Sequence, residues 1–161
     1  METGTLVIGI GNPLQGDDGL GACAIQMLAN EVLPAGVQIE ELGTPGWGLV
    51  NFLQGWQRVI LIDAVCMGEE PGTLRRLEKD EIQLVASDPV RSLHEPGLAE
   101  SLSLAQTLGL LPDEIVLYGV EPACIQPGGE LSPAVRQAVT PLVKQILGEL
   151  WKKTRTPNGS C

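Results

Sequence analysis

The sequence is poor in rings. Five aromatic residues (Trp47, Phe52, Trp56, Tyr118 and Trp151) and a single histidine, His94, occur among 161 residues. So few rings leave little from which to build a stacking platform for a flavin or a base. Cationic side chains are also scarce, with ten Lys and Arg against twenty Asp and Glu and a formal net charge of −10. Three of those ten, Lys152, Lys153 and Arg155, fall at the C-terminal end. A chain of this balance neither neutralises nucleic-acid phosphates nor docks on an anionic membrane surface. No stretch approaches the ~18–20 consecutive apolar residues of a membrane-spanning helix. Met1 to Thr5 carries no cationic region and the apolar run from Leu6 is short for a secretory signal, so a cytoplasmic protein is expected.

Familiar nucleophiles and metal knuckles are missing as well. Cys23, Cys66, Cys124 and Cys161 are separated by 43, 58 and 37 positions, and none forms a C-x-x-C pair. In a reducing cytosol they read as free, buried thiols, with Cys161 in a frayed tail. There is no G-x-S-x-G turn and no cysteine beside the histidine, so hydrolysis would fall to water.

What is present is a globular domain. Hydrophobic residues make up 43% and charged residues 19%, a composition that folds rather than remaining disordered. Short β-branched runs, Thr5 to Ile10, Val59 to Val65 and Ile115 to Val120, read as strands covered on both faces. Val37, Ile39 and Leu42 suggest another strand, and Leu74 to Leu77 an extra, less buried one. Between them lie helical stripes: Leu20, Ala24, Met27, Leu28 and Val32, stopped by Pro34; Trp47 to Leu53; and Leu98, Leu102, Ala105 and Leu108. Residues 79–92 read as a loop with one helical turn at most. Ser132 and Pro133 open a long helix with Val135, Val139, Leu142, Ile146 and Leu150 inward and a kink at Pro141. Trp47 and Trp56 read either as surface anchors for a partner or as core residues, and the core is the expectation because large aromatics are usually well buried. The fold class that follows is α/β: a three-layer α/β/α domain over residues 1–151, with a mostly parallel twisted sheet of about five strands and room for one antiparallel edge strand. Residues 152–161 read as a flexible polar tail. Ligands of such sheets sit beyond the carboxyl ends of the strands, where connections diverge to opposite faces.

The loop after the first strand, Gly9-Ile10-Gly11-Asn12-Pro13-Leu14-Gln15-Gly16-Asp17-Asp18-Gly19-Leu20-Gly21, is glycine-rich but carries the wrong chemistry for phosphate. Leu14 blocks the close approach that a dinucleotide loop requires. Asp17 and Asp18 stand where a phosphate loop would place its lysine and hydroxyl, and two carboxylates at a helix mouth repel an anion. They suit a cation instead, although one of the pair could serve only as an N-cap. Asp63 follows the apolar run Val59-Ile60-Leu61-Ile62 and would face the same crevice, where a buried carboxylate must be paired, hydrogen-bonded or metal-bound. His94 lies at the connection level in Ser92-Leu93-His94-Glu95-Pro96-Gly97. Two carboxylates and one imidazole form a borderline donor set suited to zinc, nickel, manganese or iron, and three protein ligands leave the site open.

In this order, GIGNPLQGDDGLG (Gly9 to Gly21), IDAV (Ile62 to Val65) and SLHEPG (Ser92 to Gly97) resemble the hydrogenase maturation proteases. Gly43-Thr44-Pro45-Gly46 and Tyr118-Gly119-Val120-Glu121-Pro122 fit the same pattern, and the similarity covers roughly residues 5–148. The resemblance implies an endopeptidase that removes a short C-terminal extension from the large-subunit precursor of a nickel–iron hydrogenase after nickel insertion, with the precursor's nickel as the recognition signal. It assigns metal contact to Asp18, Asp63 and His94, and catalysis to Asp18 and Asp63. Asn12, Asp17 and Glu95 support the site, Asp17 by capping and holding the loop. Many family members have Glu at the position of Asp18. The nickel would come with the precursor, and another divalent transition metal could occupy the site in the isolated protein, which is expected to be monomeric. Two mechanisms remain open, metal-assisted attack by water and a proton-sharing carboxylate pair. The competing readings are a non-hydrolytic flavodoxin-like or nucleotide-binding module and a nickel metallochaperone that never cuts.

Overall fold

β-branched and leucine-rich runs that are buried on two sides can only pair side by side, and they do so at the centre of the molecule. The computed structural model describes residues 2–87, 92–93 and 98–154. Its strands are β1 (Glu2–Ile10), β2 (Val37–Gly43), β3 (Trp56–Cys66), β4 (Leu74–Glu78), β5 (Ser92–Leu93) and β6 (Glu114–Val120). The sheet order is β2-β1-β3-β6-β4, with the two-residue β5 paired to β3 off this path. β1 pairs in parallel with β2 and β3, and β3 in parallel with β6. β4 joins β6 antiparallel at the edge, which answers the expectation for Leu74 to Leu77.

Side-chain alternation along the strands divides the core into two halves. Leu6, Ile8 and Ile10 of β1, with Val59, Leu61 and Val65 of β3, pack under α2 (Leu49–Leu53), α3 (Lys79–Ser87) and α4 (Leu98–Thr107). Val7, Ile60, Ile62, Val116 and Tyr118 point the other way, against α1 (Leu20–Leu28) and α5 (Pro133–Thr154). This is the three-layer arrangement read from the sequence. Each fully buried Leu or Ile, such as Leu28 in α1 or Ile146 in α5, contributes about 1.5–3 kcal/mol.

Several local readings are corrected. Residues 79–87 form a helix of nine residues rather than a loop; Asp80 and Glu81 lie in its first turn, where carboxylates are favoured, and Ile82 and Val85 are buried. Helix α1 stops at Leu28, so Val32 lies beyond its apolar face and is 78% exposed. Trp47 is 60% exposed, in a short 3-10 turn (Gly46–Gly48) that carries it outside the core, while Trp56 is half-buried against it. Cys124 is an exposed thiol rather than a buried one, whereas Cys23 and Cys66 are half-buried. Helix α5 runs through Pro141 to Thr154, and residues 155–161 of the expected tail lie outside the described residues. Val135 N–H donates to the Ser132 hydroxyl at 3.4 Å, so Ser132 caps α5 as read. Among the described residues no helix is long and apolar enough to cross a membrane.

Candidate active site

The reversal of direction lies at β1. The chain leaves β1 for α1 and β2 on one side, and β3 lies on the other, so the carboxyl ends of β1 and β3 flank the crevice. α1 approaches this crevice closely because two glycines face each other. A Cβ on Gly9 would stand 2.5 Å from the Gly21 carbonyl oxygen, and one on Gly21 would stand 2.5 Å from that of Ile10 and 3.0 Å from that of Ile62. Gly9 and Gly21, on either side of the first loop, therefore serve helix–sheet packing.

The loop itself is folded around its polar side chains. Gly11 has φ 120°, a conformation that favours glycine, and donates its N–H to the Gly43 carbonyl at 2.8 Å. Asn12 builds the turn, its Oδ1 accepting from Leu14 N–H at 2.9 Å. A 3-10 turn, Gly16–Gly19, then carries both aspartates and packs against β3.

The two adjacent acids have separate fates. Asp18 is buried, and its Oδ2 accepts from Asn12 N–H at 2.7 Å. Its Oδ1 is also buried and has no hydrogen-bond partner among the described residues. Asp17 is fully buried and points into the segment after β6. Its Oδ2 accepts from Ala123 N–H at 2.8 Å, Cys124 N–H at 2.9 Å and the Ser132 hydroxyl at 2.9 Å, and its Oδ1 from Ser132 N–H at 2.6 Å. Burial alone would raise its pKa, but the donors from Cys124, Ser132 and Ala123 outweigh it and hold the carboxyl below the ordinary aspartate value. Asp17 thus ties the loop to the segment after β6, yet it caps neither its own turn nor α1, whose N-cap Gly19 has no side-chain hydrogen bond.

Asp63 is fully buried. It does not end its strand, since β3 continues to Cys66. However, the β1–β3 ladder finishes at Gly9 opposite Ile62, so Asp63 lies where β1 turns away. Its register partner on β6 is Gly119, which places no side chain beside it. Asp18 and Asp63 are thus carried on touching elements at the mouth of the sheet. His94 and Glu95 lie outside the described residues. The preceding residues are described: Leu93 pairs with Val65 and Ser92 with Cys66, which ties β5 to the end of β3. Among the described residues no group of three His, Cys, Asp or Glu side chains could hold a metal ion.

One buried acid escaped the sequence reading. Glu121, which entered only as part of a familiar pentapeptide, is 8% exposed and its Oε2 accepts from Met67 N–H at 2.6 Å. A carboxylate two residues after the β6 glycine that faces Asp63 was the available signal. A cavity of about 610 Å³ lined by Trp47, Ile82, Leu102 and Ser103 lies between α3 and α4, and neither Asp18 nor Asp63 lines it.

Comparisons with known proteins agree with this architecture. The HycI family model, described as hydrogenase maturation protease, matches residues 23–149. The chain is 38% identical over 149 residues to the hydrogenase expression/formation protein HupD of Bradyrhizobium diazoefficiens, covering 89% of this chain and 78% of that protein. It is 37% identical to HupD of Thiocapsa roseopersicina and spans 65% of that protein's length. Its fold superposes on the hydrogenase maturating endopeptidase HybD from E. coli with a TM-score of 0.84 and 30% identity, covering 94% of both chains. A doubly wound sheet with acids at its mouth, matched this far along its length, places the chain in the hydrogenase maturation protease family.

Proposed function

We propose that the protein is an endopeptidase that removes a short C-terminal extension from the precursor of a nickel–iron hydrogenase large subunit, after nickel has been inserted and with that nickel as the recognition signal. The observation that carries this reading is Asp18 Oδ1, a buried carboxylate oxygen with no hydrogen-bond partner among the described residues. A buried acceptor left without a donor costs about 1–3 kcal/mol, so the site favours a cation or a water proton that completes it. The fully buried Asp63, on the strand against which the Asp18 turn packs, supplies a second carboxylate. His94 directly follows Leu93, which is tied to Val65 two positions after Asp63. Two carboxylates and an imidazole suit a borderline divalent ion.

In this reading Asp18, Asp63 and His94 engage nickel held by the precursor, whose chemical contribution is Lewis-acid polarisation near the scissile bond. Asp18 and Asp63 orient the attacking water, and one of them takes its proton as general base. The enzyme acts in the cytoplasm, as a monomer when free, on a protein substrate. Incubation with nickel-loaded and nickel-free precursor, read by intact mass, tests the proposal. Loss of a C-terminal fragment from the loaded form alone is expected, and Asp63→Asn should slow cleavage by about 10²–10⁴-fold. Undiminished cleavage of metal-free precursor would remove nickel recognition and leave a carboxylate pair working without metal. An intact tail in every arm would refute the peptidase and favour a metallochaperone.

A further inference from the structure

Asp17 touches nothing that reacts in this mechanism, yet it is the most heavily hydrogen-bonded carboxylate of the first loop. All four of its donors come from residues 106 to 115 positions away. The backbone repeats the link: Asp17 N–H donates to the Cys124 carbonyl at 3.0 Å and Gly128 N–H to that of Leu14 at 2.7 Å. Gly16 lies so close that a Cβ there would be 2.9 Å from the Cys124 oxygen. By contrast, the neighbouring Asp18 carboxylate is held by Asn12 N–H alone among the described residues. The peptide of Asp18 itself donates its N–H to the Gln15 carbonyl at 3.2 Å within the loop, so the ties that reach beyond the loop at this point run through Asp17 and its neighbours.

The same segment after β6 also grips the exit of β3. Glu121 Oε2 accepts from Met67 N–H at 2.6 Å, while Glu121 N–H donates to the Thr73 carbonyl at 2.9 Å and its own carbonyl accepts from Gly72 N–H at 2.8 Å. Residues 121–132 form one bracket across both elements that carry the proposed catalytic acids. We infer that Asp17 is a positioning residue, whose carboxylate clamps the first loop to this bracket and so fixes Asp18 relative to Asp63. The inference rests on the peptidase reading.

A carboxylate is required because donors converge on both of its oxygens. In Asp17→Asn an amide NH2 would face either the Ser132 N–H or the three donors on the other side, so a buried donor loses its partner. The test is steady-state cleavage of nickel-loaded precursor by the full-length chain, with circular dichroism as a check on folding. Asp17→Asn should lower kcat tenfold or more with KM within twofold, because the substrate still docks but meets a displaced acid. Ser132→Ala, a milder change that removes one donor, should lower kcat about threefold. Ser132→Thr, which restores the hydroxyl and the cap of α5, should recover most of that loss. A kcat for Asp17→Asn within twofold of wild type overturns the inference. So do equal rates for Ser132→Ala and Ser132→Thr, which decide the matter should Asp17→Asn fail to fold. Precursor left uncut by the wild type overturns the proposed function and this inference together, whereas efficient cutting by wild type and Asp17→Asn alike overturns this inference alone.

Discussion

Replacing Gly21 by alanine tests how the crevice is held together, because two opposed effects can be weighed. In a helix, Gly→Ala normally stabilises by about 0.8–1 kcal/mol. At Gly21, in the first turn of α1, the new Cβ would stand 2.5 Å from the Ile10 carbonyl oxygen, 2.7 Å from the Ile10 nitrogen and 3.0 Å from the Ile62 carbonyl oxygen. All three atoms belong to backbone at the centre of the sheet, so α1 itself must shift by roughly half an ångström. Overpacking of that kind costs about 1–3 kcal/mol or more. The steric cost wins, with a net loss of about 1–2 kcal/mol. At this chain length that lowers the thermal midpoint by about 2–8 °C. Gly148, exposed in α5 with nothing within 4 Å of its Cβ position, is the control. There the same substitution should stabilise by about 0.5–1 kcal/mol. Urea denaturation of both variants, fitted with a common m-value, reads the two signs. A Gly21→Ala variant as stable as wild type would refute the close approach of α1 to β1, and with it the account of why Gly9 and Gly21 are glycines.

Two further outcomes follow from the charges beneath α5. Glu149 accepts hydrogen bonds from Arg58, Arg76 and the Tyr118 hydroxyl, and the Arg58 side chain is only 4% exposed. Glu149→Ala strips the buried guanidinium of one of its two anionic partners, Glu114 remaining at 3.2 Å. It should therefore destabilise by about 3 kcal/mol, the lower end for breaking a buried pair, and a loss under about 0.5 kcal/mol in urea denaturation would contradict the network. Tyr118, the only tyrosine, has its pKa pushed up to about 12 by burial first and the Glu149 charge second, with Arg76 opposing. The folded state then holds a proton that the unfolded chain releases near pH 10, so stability falls as pH rises from about 10 to 12. Ultraviolet titration reads this single phenol directly, and ionisation near pH 10 in the folded protein would refute its burial beside Glu149.

The strands and most helices were legible because their signals are local. β3 reads as a buried strand from Val59 to Val65 alone, and Ser132-Pro133 announces the start of α5. Where local chemistry was ambiguous the reading failed: the polar run Lys79 to Ser87 becomes a helix only because Ile82 and Val85 find the sheet, and Val32 continues a stripe that the backbone abandons at Leu28. The candidate site divides in the same way. Motif and position make Asp18 and Asp63 candidates from the sequence, and the fold carries both on touching elements at the mouth of the sheet.

By itself, then, the amino-acid order determined the alternation of strands and helices, the acidic character of the first loop and the resemblance to a family. Only the tertiary structure decided how the neighbours Asp17 and Asp18 divide their work. That choice depends on donors at Ala123, Cys124 and Ser132, more than a hundred residues downstream, which β6 brings beside the loop. Glu121 took its role in the same way, from Met67 across the β3–β6 pair. A carboxylate's task is set by which donors reach it, and the folded sheet brings those donors into reach.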